Sequence, residues 1–186
     1  MSAKEVSTLP DSLLARLSQW RETYPDRPAW SFVDDRGNLS VSYTYKQLDE
    51  ASTTLANELM NKHKLTTSDS HRVLLVFFPG LHFTISLLAC FKAGITAIPV
   101  FPPDPRKLKK DLHHFVSIQS SSGALTALTH KDYNFAKNMA GAKNLFSFSG
   151  GEKWPELNWI TVDNTLETGK KSNNKVNSFP FMFSLS

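Results

Sequence analysis

The chain has 186 residues, of which 40% are hydrophobic and 20% charged, with a formal net charge of +4 and one cysteine. That length suffices for one domain with a real core, since a chain of this size buries roughly 70% of its unfolded surface. The composition is ordinary for a soluble protein, and a single cysteine excludes an internal disulfide. The lysines and arginines are scattered rather than clustered, so no nucleic-acid interface is expected.

The first twenty residues, MSAKEVSTLPDSLLARLSQW, carry early charges and no apolar h-region. They do not read as a secretory signal, and the cytosol is the expected compartment. Asp11 is the predicted cap of a helix over Ser12–Arg21, with Leu13, Leu14, Leu17 and Trp20 on its apolar side. Ala29–Val33 alternates like a half-buried strand, Asp35-Arg36-Gly37-Asn38 supplies a turn, and Leu39–Tyr43 alternates back, predicting a β-hairpin. The neighbouring acids Asp34 and Asp35 are explained by that turn rather than by catalysis. Thr44 is the predicted cap of the next helix, where Leu48, Ala51, Leu55 and Leu59 form one apolar stripe.

From Val73 to Phe91 the sequence VLLVFFPGLHFTISLLACF holds no formal charge. Its length alone would let it cross a bilayer, which takes roughly 20 residues. Pro79-Gly80 splits it, however, into a short strand (Val73–Phe78) and a buried helix (Leu81–Ala93) closed by Gly94. No transmembrane segment is therefore expected. Cys90 lies in the apolar half and reads as a buried, inert thiol.

Ile95–Val100 reads as a strand, although Pro99 lies inside it and PPDP follows at once. Proline lacks the N–H that a ladder needs, so a special position is implied. Beyond the turn, Arg106–Ser120 reads as a helix with Leu108, Leu112, Phe115 and Val116 inward and Arg106, Lys107, Lys109 and Lys110 outward. Gly123 ends that unit. Ala124–Leu128 is a predicted strand, Lys131–Ala140 a helix, Leu145–Phe148 a strand and Trp159–Val162 a last strand. Strands alternating with helices at this spacing imply βαβ units and a parallel sheet covered on both faces. After Asn164 the chain turns polar, and it ends in the apolar FPFMFSLS.

Catalytic motifs are absent from the sequence. There is no G-x-x-x-x-G-K-[ST] loop, no G-x-S-x-G elbow and no G-x-G-x-x-G. SFSGGEKW at 147–154 has the wrong spacing for a phosphate loop. None of the six histidines, His63, His71, His82, His113, His114 and His130, pairs with another ligand at metal spacing along the chain. The expected catalytic, cofactor-binding and metal residues are none.

In order and spacing, LSVSYTYKQLDEASTTLANEL and HRVLLVFFPGLHFTISLLACFKAGITAIPVFPPDP resemble blocks of the acyl-adenylate-forming (AMP-dependent synthetase/ligase) superfamily. PGLHF with PVFPPDP is similar to the fatty acyl-AMP ligase branch and to the disco-interacting protein 2 type. The resemblance covers about Pro28 to Asp163. It implies an α/β fold: an N-terminal subdomain with a β-hairpin and parallel βαβ units, incomplete relative to the family's large N-terminal domain.

It further implies a division into an N-terminal helix and lead-in (1–27), a partial AMP-dependent synthetase/ligase domain (28–163), and a polar linker with an apolar tail (164–186). The full-length family, by this resemblance, uses ATP and Mg²⁺ to make an acyl-adenylate from a fatty acid, then passes the acyl group to an acyl carrier protein or to CoA. Its phosphate loop, Mg²⁺ ligand and late lysine would fall beyond these residues. No cofactor is therefore expected on this chain, and no catalytic residue carries over. An incomplete enzyme, a non-catalytic binding module and a membrane-associated protein built on Val73–Phe91 remain as readings, the first favoured by motif order.

Overall fold

The computed structural model describes residues 12–34, 36–65, 71–104, 108–145 and 154–163. The first helix, α1 (Leu13–Thr23), is capped by Ser12, whose Oγ accepts the Ala15 N–H at 3.1 Å. The predicted cap, Asp11, lies outside the described residues. Leu17 is buried as predicted, but Leu13 is 56% exposed, because the helix enters the fold along one narrow stripe.

Strands β1 (Pro28–Val33) and β2 (Leu39–Thr44) form the predicted antiparallel hairpin. Asp34 Oδ1 accepts the N–H groups of Arg36 and Asn38, so this acid builds the turn. Asp35 lies outside the described residues. Thr44 caps α2 (Tyr45–Asn61) through a reciprocal pair with Gln47, in which each side chain takes the other residue's N–H. The whole predicted stripe of α2, Leu48, Ala51, Leu55 and Leu59, is buried. Asp49 joins three helices: it bonds Arg21 of α1 at 3.2 Å and Lys92 at 2.6 Å.

The uncharged run divides at Pro79-Gly80, as the punctuation predicts, into β3 (Arg72–Val76) and α3 (Leu81–Ala93). Among the described residues no helix is long and apolar enough to cross a membrane. Gly94 takes φ 67°, a left-handed conformation that stops α3 without a Cβ penalty.

The remaining elements are β4 (Thr96–Val100), α4 (Leu108–Ser122), β5 (Thr126–Thr129), α5 (Lys131–Leu145) and β6 (Asn158–Thr161). Leu112 and Phe115 of α4 point inward as expected, while the side chains of Arg106, Lys107, Leu108, Lys109 and Lys110 lie outside the described residues. The strand expected at Leu145–Phe148 is corrected at its start. Leu145 closes α5, which runs through Gly141 because one glycine costs a helix only about 1 kcal/mol. Residues 146–148 are outside the described set.

The four strands β3–β6 form a parallel sheet in the order β4-β3-β5-β6. This order resolves the proline puzzle. Among the described strands β4 is an edge, so Pro99, opposite Leu75, interrupts no interior ladder. The following turn is fastened from outside: the Tyr133 hydroxyl of α5 donates to the Pro103 carbonyl at 2.8 Å.

Both faces of the sheet are covered. Val73 and Leu75 pack with Leu128, Ile160, α2 and α3 on one side. Leu74 and Val76 pack with Leu112, Phe115 and Tyr133 on the other. The central strands are accordingly buried along their length and read as continuous apolar runs.

Cys90 is fully buried, and burial pushes its thiol from 9.0 up to about 12. Its folded pKa exceeds the unfolded one, so the unfolded chain ionises first as pH rises. The resulting loss begins near pH 9 and is complete near pH 12. Between pH 8 and pH 10 the wild type is expected to lose about 1.4 kcal/mol that Cys90→Ala does not lose. Urea unfolding of both proteins at the two pH values tests this. A wild-type-minus-variant difference independent of pH would remove the argument.

Candidate functional site

In open α/β sheets a crevice forms at the carboxyl ends of two neighbouring strands whose connections leave in opposite directions. Here β3 runs through α3 to β4 on one side, while β5 runs through α5 to β6 on the other. The switch point therefore lies between the ends of β3 and β5. Thr129, at the end of β5, closes the two strands together there: its buried hydroxyl donates to the Val76 carbonyl at 2.8 Å.

Three potential ligands meet at this carboxyl edge. His82 is the second residue of α3, just past the Pro79-Gly80 turn. His130 stands between β5 and α5, and Asp163 follows the end of β6. His130 Nε2 lies 2.8 Å from Asp163 Oδ1, and the rings of His82 and His130 are perpendicular with centroids 4.8 Å apart. One nitrogen or oxygen from each of the three falls within 4.8 Å of the others.

Asp163 is 3% exposed. Burial alone would raise its pKa. The hydrogen bonds from His130 and from the Lys131 N–H, the latter at 2.7 Å, outweigh that and hold it below the usual carboxylate range. An ionised carboxylate is thus fixed between the end of β6 and the first turn of α5, where the helix dipole favours it. On the other side of the His130 ring, Nδ1 accepts the Asp132 N–H at 3.2 Å and lies 3.5 Å from Asp132 Oδ2. The cluster has a structural task in any case, since it clips β6 to the start of α5.

Aromatic rings gather just past the ends of neighbouring strands. Phe78, just past β3, meets Phe101 edge-on at 5.7 Å and Tyr133 at 6.3 Å. Lys137 of α5 is buried over the Trp159 ring with Nζ 4.4 Å from the centroid, and burial lowers its pKa.

The expectation of no metal site rested on the spacing of the histidines along the chain. His82, His130 and Asp163 come from three separate strand-to-helix connections or strand ends, so a spacing test does not find them. The available signal was positional: each stands shortly after a predicted strand. His113 and His114 sit elsewhere, on α4. Of SFSGGEKW, only Trp154 is described, and it packs on Phe115.

Residues 17–173 match the family described as AMP-binding enzyme. The medium-chain-fatty-acid acyl-carrier-protein ligase JamA of Moorena producens (strain JHB) is 33% identical over 164 residues, covering 88% of this chain and 25% of that protein. Disco-interacting protein 2 homolog A of Homo sapiens is 30% identical over 136 residues, covering 69% of this chain and 8% of that protein. Among solved structures, the fatty acyl-adenylate ligase from L. pneumophila in complex with acyl adenylate and pyrophosphate superposes with a TM-score of 0.67. It does so at 23% identity, over 91% of this chain and 26% of that one, a likeness of fold. The chain thus spans a quarter or less of the length of the curated relatives named here.

Proposed function

Because the chain belongs to the AMP-binding enzyme family, we propose that it is the N-terminal part of a fatty acyl-AMP ligase-like enzyme, which activates a fatty acid with ATP and Mg²⁺ to an acyl-adenylate. The observation that carries this reading is the 33% identity to a medium-chain-fatty-acid ligase across 88% of the chain. The segments PGLHF and PVFPPDP, on which the resemblance to this branch rests, lie within the described β3–α3 and β4 regions apart from Pro105. In the proposal, 1–27 is a lead-in, 28–163 a partial adenylating domain and 164–186 a linker with an apolar tail.

The acceptor of the acyl group in the complete enzyme is an acyl carrier protein, in line with the name of that relative. Holding a triphosphate while a carboxylate attacks the α-phosphorus takes preorganised donors and a metal. The 186 residues contain no Gly/Ser/Thr phosphate loop of the required spacing. By themselves they are therefore expected not to adenylate.

A second reading, a non-catalytic binding module derived from the family, is favoured by one structural feature. The described sheet already has an apolar core on each face.

ATP–pyrophosphate exchange with medium-chain fatty acids tests the first reading. The 186-residue chain is expected to give no exchange above background, and a longer protein containing it is expected to give fatty-acid-dependent exchange. Exchange by the short chain would overturn its proposed inactivity. A longer protein that binds an acyl carrier protein without exchange would favour the second reading.

A further inference from the structure

We propose that His82, His130 and Asp163 form a binding site for a divalent cation of the Zn²⁺ and Co²⁺ class at the switch point of the sheet. Two imidazoles and one carboxylate are a borderline donor set, which suits Zn²⁺, Co²⁺ or Ni²⁺ and does not suit Mg²⁺, a hard ion that prefers oxygen ligands. Three protein ligands leave a fourth position for water or a further ligand.

The distances fit with one side-chain movement. Ligand atoms around a tetrahedral ion at roughly 2.0–2.1 Å stand roughly 3.3 Å apart. His130 Nε2 and Asp163 Oδ1 begin at 2.8 Å and need only open slightly. The full cluster spans 4.8 Å, so His82 must swing inward. His82 is only partly buried and sits in the first turn of α3.

The surroundings supply what a metal-bound histidine needs. When Nε2 ligates, the ring proton moves to Nδ1, which then gives up the Asp132 N–H that it accepts in this structure and turns to Asp132 Oδ2, 3.5 Å away. A carboxylate behind the histidine fixes the tautomer and raises ligand basicity. The starts of α3 and α5 both bring positive potential to this edge. Asp163 answers that of α5 directly by accepting the Lys131 N–H. Asp132 adds a second carboxylate beside the cluster.

The test is a Co²⁺ titration of the tag-free, chelator-treated 186-residue chain, followed by visible absorption and by histidine ring NMR signals. One saturable equivalent is expected, broadening the His82 and His130 signals first and sparing His113 and His114. Zn²⁺ is expected to displace Co²⁺, and excess Mg²⁺ is not. His82→Ala is expected to weaken Co²⁺ binding at least tenfold with an unchanged near-ultraviolet spectrum. The ring signals of the wild type give the answer without any variant. Absence of a saturable equivalent, uniform broadening of all six histidines, or a His82→Ala protein that binds as tightly as wild type would each overturn the site. So would His82 and His130 signals that respond to inorganic phosphate and not to Co²⁺.

Discussion

Replacing Phe115 by alanine is expected to lower the unfolding free energy by about 4 kcal/mol, at the upper end of what one side chain does in a domain of this size. Phe115 projects from α4 and is 1% exposed. Its ring lies nearly parallel to that of Trp159, at 6.0 Å and 13°, and meets Trp154 edge-on at 5.5 Å. Truncation removes the transfer free energy of the ring and leaves a void that rigid aromatic neighbours close poorly. It also uncovers part of the apolar enclosure that keeps Lys137 against Trp159.

Phe115→Leu, which keeps most of the volume, is expected to cost less than about 1.5 kcal/mol. Urea unfolding followed by tryptophan fluorescence measures both, because Trp154 and Trp159 report from the affected cluster. A loss under 1.5 kcal/mol for the alanine variant would mean that the cluster relaxes freely and does not pin β6. The consequence reaches the candidate site, since β6 leads directly into Asp163.

Elements with local signals were legible in the chain. The hairpin was marked by alternation on either side of a Gly-Asn turn. The second helix was marked by Thr44 and by a stripe whose four positions are all buried. Pro79-Gly80 and Gly94 delimit a helix that composition alone would have left confused with a membrane span. All of these are decided within a few residues, where backbone sterics and side-chain periodicity act. Ser12 shows the limit of such local reading, because an Asp-Ser pair offers two caps and only the geometry selects one.

What the chain concealed depends on strand order. Pro99 was a contradiction until β4 took an edge position, and nothing near residue 99 states which strand will lie at the edge. His82, His130 and Asp163 are dozens of residues apart and meet only because parallel strands bring successive connections to one end of the sheet. No local signal marks Lys137 for burial. Its burial follows from the two tryptophans that the last described segment folds over it.

Asp163→Ala is expected to cost about 3 kcal/mol, even though the residue belongs to no helix core or strand ladder. Its two oxygens do separate work: Oδ2 accepts the Lys131 N–H at 2.7 Å and Oδ1 faces His130 Nε2 at 2.8 Å. The first is a helix cap supplied from a distant strand, and losing such a cap costs about 1 kcal/mol. The second is a hydrogen bond to a charged group, worth about 1.5–3 kcal/mol. Water recovers part of the second at His130, which is 24% exposed. It recovers less around the buried Asp163 position.

Asp163→Asn retains an oxygen for one donor and is expected to lose about half as much. A double-mutant cycle with His130→Ala separates the two contributions, because only the His130 part should vanish in that background. If Asp163→Ala cost under 1 kcal/mol, the end of β6 would not be clipped to α5 through this carboxylate. If the cost survived undiminished in the His130→Ala background, the cap on α5 would be the whole of the effect, and the close approach of His130 would have to be explained by something other than stability.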